Sequence, residues 1–175
     1  MTGSKSFVGA FAPRSSGKPY PSTADMVMEL NMLTETMKDM TSQIEQYQGG
    51  MSNLLYLIRG TYKVHDSALI AQKRIASTEV TEGRDKEDQV LTATYEMIDA
   101  LTQAIVATAS KVPFVKKIPS GFSIVQAVLR KIYEAKEGLR AALLKHCANG
   151  FTSEILELFR DFEQRYTDLM SDLRA

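Results

Sequence analysis

The chain has 175 residues, 44% of them hydrophobic and 24% charged, with 21 basic against 21 acidic side chains, one cysteine and no tryptophan. A chain of this length buries roughly two-thirds of its unfolded surface without extra staples. One cysteine excludes an internal disulfide or a thiolate metal cage, two histidines are too few for a histidine-rich metal site, and zero formal charge argues against coating nucleic acid.

Residues 1–22 read as a flexible basic arm. Lys5, Arg14 and Lys18 precede the first acid, Asp25, and the apolar run at Phe7, Val8 and Ala10 to Ala12 is too short and too broken for a secretory core. With a single thiol and no such signal, the expected compartment is reducing and cytosol-like, with organellar import left open. No stretch of about 18 apolar residues is available to span a membrane.

Ser22-Thr-Ala-Asp25 has the capping-box pattern and predicts a helix start. From there Met26, Leu30, Leu33, Met37, Met40, Ile44, Tyr47, Met51, Leu54 and Ile58 alternate four-three and keep one seam facing a partner. Gly49 and Gly50 fall inside this run, each costing about 1 kcal/mol relative to alanine, yet the unbroken phase predicts a continuous helix. Carried on to Ile75 it would span roughly 75 Å, against roughly 40 Å for each later helix. It would outrun its companions. The flanking positions Thr34, Thr36, Thr41, Gln43 and Gln48 are neutral, which suits a face packed by two or more helices better than a charged zipper.

Ser77 to Asp88 reads as a charged turn, with Asp85 a candidate N-cap. A second helix carries Leu91, Ile98, Leu101 and Ile105 up to Lys111. Val112 to Pro119 holds two prolines and predicts a non-helical link. Ser120 can cap a third helix with the stripe Phe122, Val125, Leu129, Ile132, Leu139 and Leu143, stopped by Asn149-Gly150. Thr152 or Ser153 opens a last helix through Ile155, Phe159, Phe162, Tyr166, Leu169 and Leu173. No segment alternates with period two. The expected fold is all-α: residues 23–175 as a single domain, a bundle of four to five helices with one long N-terminal heptad-bearing helix.

Charge is segregated. Glu79 to Asp99 is strongly acidic, whereas no acid lies between Leu101 and Tyr133, where Lys111, Lys116, Lys117, Arg130 and Lys131 gather. Together with Phe114 and Phe122 they make a basic apolar link over 111–131, suited to an anionic lipid surface or an acidic protein face. This order of apolar helix, Val-Pro-Phe-Val link and Pro-Ser-Gly helix start resembles helical-bundle domains that permeabilise membranes in cell-death pathways, without a fixed signature.

Catalytic patterns are absent: no GxSxG, GxxxxGK[ST], HExxH or GxGxxG. His146 and Cys147 are neighbours, but adjacent helical side chains point about 100° apart and do not make a nucleophile pair. His65 reads as a register residue in the seam. No catalytic residue, cofactor or metal is expected. The sequence therefore predicts a non-enzymatic assembly or scaffold subunit, packing its seam against copies of itself or other protein partners. The alternative is a membrane-active bundle using the basic link for peripheral anionic contact, and a nucleoprotein or coat subunit is the remaining option.

Overall fold

A computed structural model describes residues 22–78, 83–146 and 151–174, and among them every regular element is helical. Residues 1–21 of the arm, Glu79 to Glu82 of the charged turn, and Cys147, Asn149 and Gly150 lie outside the described residues. The helices are α1 (Thr23–Glu45), α2 (Met51–Ser77), α3 (Arg84–Ser110), the short α4 (Val112–Val115), α5 (Gly121–His146) and α6 (Thr152–Asp172).

At the start of α1 the capping box is complete. The Ser22 hydroxyl accepts from the Asp25 amide at 3.3 Å, while the Asp25 carboxylate accepts from the Ser22 amide and hydroxyl, each at 2.7 Å. The backbone bond from Ser22, then its hydroxyl, hold the Asp25 carboxyl below its ordinary value.

The expected continuous first helix is two helices. Gly49 and Gly50 take φ of +104° and +89°, a region open to glycine and strained for other residues, and the chain reverses there. α2 returns antiparallel along α1: the position of a Cβ on Gly60 lies 2.8 Å from Met40 Sδ, and Arg74 pairs with the buried Glu29. The four-three phase survives the break because both helices turn their apolar sides into one core. The seam is therefore covered by the chain itself. Met26, Leu30, Leu33, Met37, Met40, Ile44, Tyr47 and Leu54 are buried, Ile58 is half-buried, and only Met51 is exposed. No uncovered ridge of this seam is left for another subunit.

The long helices close into a ring. α1 packs on α2 and α3, α2 on α5, and α3 and α5 meet α6. The neutral flanks of α1 fit this two-sided packing. α1, α3 and α6 run in one direction and α2 and α5 in the other, so the α1–α2 turn and the α3–α5 link share one end of the bundle. Each fully buried Leu, Ile, Met or Phe in the ring contributes about 1.5–3 kcal/mol.

The proline-bearing link also departs from expectation. Pro113 sits in the first turn of α4, where its missing N–H costs nothing, so part of the link is helical. Ser120 carries the reversal into α5 at φ +60°. Gly121 then presses on the link: a Cβ there would lie 2.5 Å from the Val115 carbonyl oxygen and 3.1 Å from Val115 Cγ1. A backbone oxygen cannot step aside, so Gly121→Ala is expected to cost about 1–3 kcal/mol in a chemical denaturation series. A change below a few tenths would show that α4 does not sit where it is described.

Candidate functional site

The five-membered ring leaves an interior. At the end shared by the α1–α2 turn and the link, a narrow internal space of about 90 Å³ lies between α1, α2, α3, α4 and α5. Its wall is Met37, Met40, Ile44 and Tyr47 before the glycine turn, with Leu54, Leu57, Ile58, Thr61 and Val64 after it. Leu101, Ala104, Ile105, Thr108 and Lys111 come from α3, Val115 from α4, and Val125, Val128, Leu129 and Ile132 from α5. No acidic side chain lines it. A second gap of only about 10 Å³ lies deeper along the axis, sharing Met37, Val64, Leu101 and Ile132 with the first and bordered by Ala135, Lys136 and Leu139.

Polar groups on the wall are few and unequal. The Thr61 hydroxyl donates to the Leu57 carbonyl at 3.0 Å and that of Thr108 to the Ala104 carbonyl at 2.8 Å, so both are satisfied within their helices. Tyr47 differs. It is 4% exposed, its ring meets Phe114 edge-on at 6.4 Å, and its hydroxyl is buried without a hydrogen-bond partner. Such a donor costs about 1–3 kcal/mol when left unpaired. Burial pushes the phenol above its ordinary pKa, keeping it protonated. Lys111 is half-buried at the same end. Its Nζ donates to the Glu45 carbonyl oxygen at 2.7 Å, capping the end of α1, and lies 5.7 Å from the Phe114 ring centre.

The basic apolar link is only partly assembled. Lys111, Phe114 and Lys117 come together, with Lys117 Nζ 5.9 Å from the Phe114 ring, and Lys116 is exposed beside them. Val115 and Ile118 are buried, and Phe122 is half-buried against the core. Arg130 and Lys131 lie farther along α5, where Lys131 Nζ stands 5.9 Å from the Tyr62 ring. The apolar residues of the link thus belong to the fold, leaving an outer surface of lysines.

Residue patterns did not single out the charged cluster at the closed end. Lys136 is 3% exposed, pairs with Glu137 and with Glu163 at 3.0 Å, and lies 4.1 Å from the Tyr133 ring centre. Arg140 joins Glu163 at 2.9 Å and Glu137 at 2.7 Å. The available signal was a lysine inside the apolar stripe of α5, between Ile132 and Leu139. His65 is half-buried with Nδ1 3.3 Å from the Asp66 carboxylate. Among the described residues no group of three or more His, Cys, Asp or Glu could hold a metal ion, and no helix is long and apolar enough to cross a membrane.

No family model matches the sequence, and no curated protein matches it significantly. Solved structures do match in fold. The protein AfMP4p in complex with palmitic acid superposes with a TM-score of 0.81 at 14% identity, covering 86% of this chain and 99% of that one. Ligand binding domain 2 of the Penicillium marneffei MP1 protein, complexed with multiple arachidonic acids, gives 0.73 at 12% identity over 86% of this chain and 92% of its own. Ligand binding domain 1 of the same protein, complexed with arachidonic acids, gives 0.72 at 12% identity over 85% and 98%. At these identities the likeness is one of fold. These ligand-bound neighbours, together with the covered seam, overturn the expectation of a scaffold subunit with homo- or hetero-oligomeric protein partners. The membrane-active and coat alternatives are corrected with it: the link's apolar residues face inward, and the feature left to explain is an interior space.

Proposed function

We propose that this chain is a non-enzymatic binding protein that holds a single-chain fatty acid inside its helical bundle, with residues 23–175 acting as one domain. The observation that carries the reading is the almost wholly apolar wall of the narrow space at the link end, formed by residues such as Leu101, Ile105, Leu129 and Ile132, with a smaller gap deeper along the axis past Met37 and Val64; an acyl chain would enter by parting these side chains. From Val125 to Leu139 the run along α5 is roughly 20 Å at 1.5 Å per residue, comparable to an extended palmitate chain. The fatty-acid complexes of the neighbouring folds support the same ligand class. An apolar wall with few polar groups can bury a tail but offers no paired acid and base for chemistry.

Titration calorimetry of delipidated protein with palmitate tests this. The expected result is saturable binding with a Kd of about 1 μM or tighter and a negative heat-capacity change from apolar burial. An absence of saturable heat at palmitate concentrations of about 100 μM would remove the reading.

A further inference from the structure

We infer that Tyr47 and Lys111 form a carboxylate site at the open end of the cavity, fixing a fatty acid with its head group at the link and its tail toward Ile132. The inference rests on the proposed fatty-acid function and adds the orientation and the residues that read the head group.

Two features point there. The Tyr47 hydroxyl is a buried donor with no partner on a wall whose other hydroxyls are satisfied. It needs an acceptor, and the protein supplies none. Lys111 lines the same space and places a positive charge at its rim, with one ammonium N–H given to the Glu45 carbonyl and two remaining. A carboxylate has two oxygens and accepts only, which matches a donor set of one phenol and one ammonium once the entering chain parts the side chains around the buried hydroxyl.

The opposite end offers a rival cation, Lys136, and electrostatics rejects it. Lys136 and Arg140 are matched there by Glu137 and Glu163. A third carboxylate entering that cluster would meet two like charges in a desolvated setting. At the link end no acid lines the wall.

The test compares palmitate, methyl palmitate and hexadecyl phosphate on the full chain, on Tyr47→Phe and on Lys111→Met, with thermal unfolding recorded for each variant. For wild type, palmitate is expected to bind about tenfold or more tighter than its uncharged methyl ester, as a charge-assisted pair should give. Lys111→Met should bring that ratio close to one. Tyr47→Phe should cut palmitate affinity about tenfold while changing ester binding less. Ratios are used because removing the cap on α1 could weaken every ligand alike. Equal binding of palmitate and ester by wild type, or an unchanged ratio in both variants, overturns the head-group site while leaving lipid binding intact. Tighter binding of hexadecyl phosphate than of palmitate overturns the carboxylate assignment. Failure of all three ligands to bind wild type overturns the fatty-acid reading and this inference with it.

Discussion

Ala104→Phe is expected to abolish palmitate binding, weakening it more than about 100-fold, while leaving the fold in place. Ala104 is half-buried on the α3 wall of the cavity between Leu101 and Thr108. A benzyl group there projects toward the narrow apolar space and occupies volume that an acyl chain would need. Overpacking costs about 1–3 kcal/mol in a tight core, too little to unfold the bundle. The matched control is Val106→Phe, two residues away but 43% exposed on the outside of the same helix, which should bind palmitate like wild type. Calorimetry of the pair, with circular dichroism to confirm helicity, checks the prediction. Unchanged binding by the Ala104 variant would mean that the ligand lies elsewhere.

Phe162→Ala is expected to produce the largest loss of stability and to spare the ligand site. Phe162 is fully buried on α6, stacked with Tyr133 at 6.4 Å and Tyr166 at 6.1 Å, and its ring centre lies 5.3 Å from Lys136 Nζ. Removing it forfeits the transfer energy of the ring, leaves a cavity and strips part of the aromatic surround from a buried ammonium. Such deletions cost about 3–5 kcal/mol. For a chain of this size that corresponds to a Tm lower by about 10 °C. No residue of α6 lines either interior space, so palmitate binding measured well below the new Tm should persist. A loss under about 1 kcal/mol would show that α6 does not close the ring as described.

How much of this was legible in the sequence depended on what each feature is made of. The helical class followed from periodicity at Leu30, Leu33 and Met37, and the start of α6 from Thr152; α3 instead starts at Arg84 after an N-cap at Gly83, so Asp85, expected as the cap, lies in its first turn, where a negative charge suits the helix dipole. The capping box at Ser22 named its own helix. Tyr47 and Met51 misled because the break between them preserves the heptad phase; the stronger local signal was two adjacent glycines, which can adopt positive φ where no other residue does so cheaply. Lys111 and Phe114 were noticed as a basic apolar pair, yet their apolar half turned out to face the core. The cavity itself had no residue signature. Leu101, Ile105, Leu129 and Ile132 are ordinary core residues, and whether they touch or stand apart depends on five helices closing a ring, which local patterning does not encode. The neutral flanks of α1 hinted at that ring, and the lysine within the stripe of α5 marked its closed end.

Whether an acyl chain occupies the interior of the bundle is measured directly by a crystal structure grown with 16-bromohexadecanoic acid. The predicted result is an anomalous bromine peak inside the ring, toward Met97, Ala135 and Leu139. A peak confined to the outer surface, or an interior holding no ligand while bromine binds elsewhere, would contradict it.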